Sequence, residues 1–300
     1  EDGSNDRLYT LCLFYGLLCY YYLCFMICVF LVLQFILTNH KDIYKGAEDT
    51  LRFAGTSVLA AAMSAFLLIP AYIGLNTTAS ATRNFPKWEW YGSIWDMIKQ
   101  MFIMTDPIKS QSFDGGVNLY CGTFAILLIG VYIFNTKIKW YEKLKNVILL
   151  VFLMMSFNNT LLNYVWHGLH DQYGIPNRFS FLFIFILLSM GYEAVYNTDK
   201  KQLPGVAVGV IAAFGFLVYA NKNITLDKTI VITTWVLFAV YSIGVMALAL
   251  ARGKGRWVVS LVLALLCLSE IVFSAAKGYE SNGTVNIPDY YGDAKNIQAA

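Results

Sequence analysis

Long apolar runs alternate with short polar stretches along the 300 residues of this chain. A helix rises 1.5 Å per residue, so the roughly 30 Å hydrocarbon core of a bilayer needs about 20 apolar residues. Seven runs have about that length, and polar or charged residues bound each of them. They cover residues 53–73, 117–135, 147–166, 179–196, 205–221, 230–251 and 257–275. The pattern predicts seven membrane-spanning helices.

An earlier apolar run, residues 8–38, is too long for one comfortable crossing, because as a helix it would measure about 46 Å. The triplet Tyr20-Tyr21-Tyr22 interrupts it. The run is either one tilted helix or two short helices that meet at the triplet. We favour the helical hairpin, since tyrosines anchor at the membrane interface. Residues 1–275 are thus expected to form a transmembrane helical domain of eight or nine membrane segments.

Basic residues give this domain an expected orientation. Twelve of the 22 Lys and Arg residues lie in four short loops, which are 39–52, 136–146, 197–204 and 252–256. Because basic loops stay in the cytoplasm, the other connections are expected outside. These are 74–116, 167–178, 222–229 and 276–300, the last of which would begin an extracytoplasmic C-terminal region.

Composition supports a membrane class and excludes several others. The chain is 58% hydrophobic and 14% charged, whereas soluble proteins carry about 25% charged residues. It has no phosphate-binding glycine loop, no dinucleotide fingerprint and no nucleophile elbow. No basic stripe suits nucleic acid. We therefore expect membrane lipid as a partner, and neither nucleic acid nor a cofactor.

The longest outer connection, 74–116, contains apolar residues at helical spacing. They are Tyr91, Ile94, Trp95, Ile98 and Phe102. This spacing predicts an amphipathic helix on the outer membrane interface, with Trp88 and Trp90 at headgroup depth. The alternative is a loop helix buried within a lid of the protein.

A dense polar cluster lies where two spans meet on the outer side. Asn163, Trp166 and His167 end one span, and Arg178 stands at the start of the next. Arginine matches phosphate oxygens with a planar fork of donors, and a helix N-terminus adds a positive dipole end. His167 could donate to the same anion or act as an acid or base. The cluster predicts a site for a lipid phosphate, unless Arg178 and His167 only anchor the helix ends.

Three further residues are candidates for the same outward cavity. Glu270 lies within the span 257–275, and an intramembrane carboxylate is a functional candidate by default, although it could pair with Lys277. Asn118 and Tyr120 open the span 117–135 from outside and could line the cavity of His167.

A metal site at His167, His170 and Asp171 is not predicted. Gly168 makes a continuous helix there doubtful, and no fourth ligand is evident.

Several stretches resemble one family. The run Asn163-Tyr164-Val165-Trp166-His167-Gly168, followed by Pro176 and by Arg178-Phe179-Ser180-Phe181-Leu182-Phe183, resembles the signature of the YfhO family of bacterial membrane proteins. Leu67-Leu68-Ile69-Pro70 and Asn118-Leu119-Tyr120-Cys121-Gly122 agree in order. The resemblance covers about residues 8–200, and the rest agrees only in hydropathy. Tyr20 replaces the family's usual Asn, and Asn177 replaces an aromatic residue.

The resemblance implies an all-α, GT-C-like polytopic helix bundle in the bacterial cytoplasmic membrane. Such enzymes transfer a sugar from a polyprenyl-phosphate carrier to an extracytoplasmic cell-envelope acceptor such as teichoic acid. Their acidic base usually lies in the first outer loop, which is expected upstream of residue 1. The chain is then a fragment that is inactive alone, with His167 as an assistant in catalysis.

We therefore assign Arg178 to the donor phosphate and the other candidates to its pocket. The pocket candidates are His167, Asn163, Trp166, Tyr120, Asn118 and Glu270. Two other functions stay open from the sequence: a transporter or flippase for a lipid or lipid-linked sugar, and a non-catalytic scaffold of envelope assembly. The polar residues gather on one side of the membrane, which favours the enzyme.

Overall fold

The computed structural model describes residues 4–38, 43–76, 85–108, 116–169 and 177–282. Over these residues the regular structure is helical, apart from one isolated antiparallel bridge between Trp90 and Asn159. The helices are α1 (Ser4–Ile36), α2 (Ile43–Met63), α3 (Ala65–Asn76), α4 (Ile94–Lys99), α5 (Thr123–Phe134), α6 (Trp140–Asn158), α7 (Thr160–Trp166), α8 (Ser180–Tyr196), α9 (Leu203–Asn223), α10 (Lys228–Leu250) and α11 (Gly253–Asn282). The predicted class, an all-α polytopic membrane protein, is confirmed.

Fewer helices than expected are long enough to cross a membrane on their own. Within the described ranges, α9, α10 and α11 have the required length and apolarity, and α1 has them only if it is counted as one continuous helix. The pair α2 and α3 would be a fifth span, but it is bent by 75°. Helices α5 and α8 are apolar but shorter. The number of membrane segments, eight or nine, stays a prediction.

Helix α1 is a helical hairpin. Tyr20 has a non-helical backbone (φ −160°, ψ 84°) inside it. The rings of Tyr9 and Phe35 both contact Phe53, with centroids 5.9 and 4.7 Å away. In a straight helix Tyr9 and Phe35 would be about 39 Å apart. The chain therefore turns back at Tyr20, as the aromatic triplet suggested, and forms two arms, 4–19 and 21–36.

The bend between α2 and α3 lies at Ser64, inside the run predicted as a straight span. The Ser64 amide is shared between Ala60 O at 3.2 Å and Ala61 O at 3.1 Å, and its hydroxyl bonds Ala60 O at 3.0 Å. Pro70 lies within α3 and lacks an amide proton for the helical ladder. A serine that bonds back to the helix and a proline both favour such a bend.

The run 147–166 is divided because three consecutive polar residues bind the outer loop. Asn159 is extended (φ −114°, ψ 129°) between α6 and α7. The Tyr91 amide donates to Asn158 O at 2.8 Å, and the Thr160 amide donates to Glu89 O at 3.1 Å. These bonds replace the helical ladder and attach residues 89–91 to the bundle.

Helix α4 is shorter than the amphipathic helix expected over 91–102. The Ser93 hydroxyl caps its start by accepting from the Trp95 amide at 3.2 Å. Its buried side chain is Met97, and Met101 and Phe102 just after it are also buried, whereas Ile94 is 49% exposed. Helix α4 therefore packs on the protein through Met97, with Trp95 and Ile98 of the predicted face partly buried beside it. Its place at the membrane interface stays a prediction.

Helix α5 begins inside the bundle. The run 117–135 was predicted to be helical throughout, yet residues 117–122 are non-helical and α5 measures only about 18 Å. Val117 and Leu119 are buried in this stretch, which suits the rule that irregular backbone in a membrane protein is covered by protein. Helix α5 packs closely on α9: a Cβ atom built at Gly209 would lie 2.7 Å from the carbonyl carbon of Gly130.

Three of the predicted cytoplasmic loops meet at one end of the bundle. Lys137 Nζ lies 2.6 Å from Asp199 Oδ2, and Arg256 Nη1 donates to Thr198 O at 2.7 Å. The Lys137 ammonium holds the pKa of the Asp199 carboxyl below its ordinary value. The loops 136–146, 197–204 and 252–256 therefore share one end, as the charge pattern requires.

Candidate functional site

The first part of the site is the turn that ends α7. Gly168 and Leu169 have positive φ angles, 75° and 63°. The Gly168 amide donates to Val165 O at 3.1 Å, and the Leu169 amide donates to Tyr164 O at 3.0 Å. This is a Schellman motif, in which glycine suits the left-handed position. Helix α7 ends at Trp166, and His167 takes the C-cap position. His170 and Asp171 lie outside the described residues.

His167 is buried beneath aromatic rings. Its Nδ1 lies 2.8 Å from Asn163 O, which fixes the proton on that nitrogen, because a carbonyl oxygen only accepts. Its ring centroid lies 6.4 Å from that of Tyr22 and 5.8 Å from that of Phe179. Trp166 is also buried and stacks on Phe179 at 4.7 Å. His167 and Trp166 therefore form the floor of the site in this conformation.

Arg178 lies above this floor, just before α8. Its guanidinium carbon is 5.3 Å from the centroid of the Tyr22 ring, within the range of a cation–π interaction. Tyr22 comes from the turn of the α1 hairpin, so a distant element orients the arginine. Sequence analysis assigned Tyr22 no role at this site, although it expected the aromatic triplet to anchor at the membrane interface.

Two buried asparagines connect the site to the outer loop. The Asn163 side-chain amide donates to Asn177 Oδ1, and Asn177 Nδ2 donates to Gly116 O at 2.9 Å and to Phe157 O at 3.4 Å. Asn177 has φ 51°, a left-handed conformation that asparagine tolerates better than most residues. Sequence analysis noted Asn177 only as a departure from the family pattern. Its position next to the predicted site residue Arg178 was the one signal that could have marked it as part of the site.

Glu270 and Tyr120 form a second cluster, separate from His167. The Glu270 carboxylate is 5% exposed. Its Oε1 accepts from Tyr120 OH at 2.6 Å and from the Thr123 amide at 2.7 Å, and its Oε2 accepts from Tyr241 OH at 2.6 Å. Lys277, its alternative partner in the sequence, instead pairs with Glu280 at 2.7 Å. Tyr241 was missed, since one phenol in the run 230–251 gives little signal.

An apolar crevice of about 290 Å³ lies beside Glu270, between α5, α8 and α11. Leu128, Gly191, Val195 and Ile271 are among the residues that line it. It suits a hydrocarbon chain better than a polar ligand.

Asn118 has a third location. Its Oδ1 accepts from the Ile108 amide at 2.9 Å, and its Nδ2 donates to Ile108 O at 3.2 Å. It therefore closes the outer loop on itself and does not join His167. Gly116 links the three locations, because it bonds Asn177 and is followed within four residues by Tyr120, at most about 14 Å along an extended chain.

The predicted residues thus divide into a joined group and two outlying groups. Arg178, His167, Asn163 and Trp166 come together as expected, whereas Tyr120 with Glu270, and Asn118, lie elsewhere. Across the part of the chain that is described, no three metal-ligating side chains gather in one place.

Comparison with known proteins gives one match. The family model described as "Bacterial membrane protein YfhO" matches residues 2–299. This range includes the stretch after residue 200, where the sequence showed only a common hydropathy. Searches of curated proteins and of solved structures gave no match.

Proposed function

The chain belongs to the YfhO family of bacterial membrane proteins, and from this premise we propose that it is a multi-pass glycosyltransferase of the GT-C type. It transfers a sugar from a polyprenyl-phosphate carrier to an extracytoplasmic cell-envelope acceptor such as teichoic acid. It acts in the cytoplasmic membrane, with its site facing away from the basic loops.

The observation that carries this proposal is the position of Arg178. It is partly exposed, directly precedes the 17-residue helix α8, and lies against Tyr22. Phe179 at the N-cap position offers no side-chain acceptor, so the positive end of α8 adds to the guanidinium charge. A phosphate at the membrane surface is the anion that this combination suits.

The reaction follows from that placement. The acceptor oxygen forms a bond to the anomeric carbon, while the bond from that carbon to the carrier phosphate breaks. Negative charge develops on the leaving phosphate, and Arg178 stabilises it. His167 supports the Tyr22 ring and, through Asn163, the backbone that precedes Arg178. The proton of the acceptor hydroxyl passes to a carboxylate base, the group that such enzymes use for this step.

A transfer assay tests the proposal. Full-length protein is incubated with a radiolabelled polyprenyl-phosphate sugar, and the products of wild type, Arg178→Ala and Lys222→Ala are compared. Lys222 is the matched control, because it is an exposed basic residue of another predicted outer loop. We expect Arg178→Ala to lose at least tenfold in transfer rate and Lys222→Ala to match the wild type. Wild-type transfer by Arg178→Ala would overturn the site.

One observation favours a second function, a lipid transporter or flippase. The crevice beside Glu270 is lined by three helices and is of a kind that admits a lipid chain into the bundle. If no donor supports transfer while the protein scrambles labelled lipid in liposomes, transport replaces catalysis as the proposed function.

A further inference from the structure

We propose that Glu270 is a positioning residue that anchors the buried start of α5 and, through residues 116–120, holds the backbone beside Arg178. Only the effect on donor binding depends on the proposed function. The role differs from the substrate contact expected of an intramembrane carboxylate.

The hydrogen bonds around Glu270 indicate an internal anchor. Two phenols and one backbone amide point at its two oxygens, and all three are donors. A carboxylate accepts from all of them, and charged acceptors make the stronger hydrogen bonds. Because both oxygens already have internal donors, the contacts of Glu270 serve the fold.

Helix α5 needs such an anchor because it starts within the bundle. The first amides of a helix have no partner inside the helix, and leaving them buried without an acceptor is costly. Thr123 is the first residue of α5, and its amide meets Glu270. Gly122 before it has φ 103°, which lets the extended segment turn into the helix. The negative carboxylate also suits the positive end of α5.

The anchor joins two consecutive helices to a third that is distant in sequence. Glu270 belongs to α11, Tyr241 to α10 and Thr123 to α5. Tyr120 extends the same anchor into the segment before α5. A change at Glu270 therefore releases Tyr120 and Thr123 together.

A short path of contacts runs from this anchor to the site. Tyr120 follows Gly116 by four residues, and Gly116 O accepts from Asn177 Nδ2 at 2.9 Å. Asn177 directly precedes Arg178 and also bonds Asn163. A shift of residues 116–120 thus moves the backbone that presents the guanidinium.

Hydrogen exchange of the full-length protein tests the anchor without any activity. Amide exchange is followed by mass spectrometry in wild type, Glu270→Gln, Tyr241→Phe and Ser269→Ala. Ser269 is the neighbouring control, since it is exposed and bonds only its own helix at Leu266 O. Glutamine is neutral and has one acceptor atom where glutamate has two, so all three donors lose a charged acceptor and at least one of them loses its acceptor altogether.

We expect Glu270→Gln to speed exchange at least tenfold over residues 116–123 and severalfold over 177–182, with no change over 222–229. Tyr241→Phe should change exchange in the same direction with a smaller effect. If Glu270→Gln does not fold, Tyr241→Phe replaces it as the test of the anchor. Ser269→Ala should match the wild type. Unchanged exchange over 116–123 in folded variants would overturn the anchor, and a rise confined to 116–123 would overturn the path to Arg178.

A binding measurement separates this inference from the proposed function. The dissociation constant of a short-chain polyprenyl phosphate should weaken by three- to tenfold in Glu270→Gln and stay unchanged in Ser269→Ala. If the wild type does not bind the phosphate, the proposed function fails while the exchange result still decides the anchor. If the wild type binds it and Glu270→Gln binds equally well, the positioning role is wrong.

Discussion

Gly209→Ala tests the closest contact in the fold. Gly209 of α9 faces Gly130 of α5, and a Cβ atom at Gly209 would lie 2.7 Å from the carbonyl carbon of Gly130 and 2.7 Å from Val131 Cα. Both of these are backbone atoms, so no side-chain rotation can relieve the overlap. Small residues allow this close approach between membrane helices.

The cost follows from the geometry. Carbon atoms pack comfortably at about 3.5–4.0 Å, so α5 and α9 must separate by roughly 1 Å. Overpacking of this kind costs about 1–3 kcal/mol. Gly215 on the same helix provides the control, because a Cβ there meets nothing within 4 Å. Alanine at position 215 should gain up to about 1 kcal/mol from its higher helix propensity.

Equilibrium unfolding of the purified protein in detergent measures the difference. We expect Gly209→Ala to be less stable than Gly215→Ala by roughly 1–3 kcal/mol, the overpacking cost alone, because both variants lie in α9 and gain the same helix propensity. Equal stability of the two variants would show that α5 and α9 do not meet backbone to backbone.

Three other predictions concern the ends of the bundle. Arg256→Ala should lower the free energy of unfolding by about 2–4 kcal/mol, because the guanidinium donates to three carbonyls at the ends of α8 and α10. The same unfolding assay should show no comparable loss for Arg252→Ala, because Arg252 is exposed. Gly168→Ala should cost about 1–2 kcal/mol in the same assay because of its φ of 75°, and a neutral result would refute the Schellman turn. Trp88 and Trp140 are both exposed, and they lie in a predicted outer and a predicted cytoplasmic loop. In a cysteine-free background on intact cells, an impermeant maleimide should therefore label Trp88→Cys and spare Trp140→Cys. The reverse pattern would invert the predicted orientation.

The sequence predicted features that depend on local pattern. The hairpin in α1 followed from a run too long for one crossing and from the tyrosines at its centre. The joining of Arg178 with His167 followed from their nearness to one short outer connection. In both cases the deciding residues are close in sequence, so hydropathy and spacing were sufficient.

The features that were missed depend on contacts between distant residues. Tyr241 meets Glu270 across two helices, and nothing near either residue marks the pairing. The non-helical segment 117–122 is less apolar than α5 and includes Asn118 and Gly122, but no charged residue separates it from α5, so the hydropathy pattern joined the two in one run. The break at Asn159 had a local signal, three consecutive polar residues in an apolar run. Its cause, however, is the backbone of residues 89–91 in the outer loop, which forms hydrogen bonds with this stretch.

The sequence also could not predict which side chains of the site are buried and which are exposed. Asn163, Trp166 and His167 are polar or amphipathic and lie next to a predicted outer loop, yet all three are buried. Their burial depends on Phe179 and on Tyr22, which come from other elements. Arg178 is the member of this group that stays partly exposed, which is why the account rests on it.

The most direct test is the affinity of the full-length protein for a short-chain polyprenyl phosphate that carries no sugar. We predict that Arg178→Ala binds it at least tenfold more weakly than the wild type, since a hydrogen bond to a charged group contributes about 1.5–3 kcal/mol. Lys222→Ala should bind as the wild type does. Equal affinity of Arg178→Ala and the wild type would contradict the account.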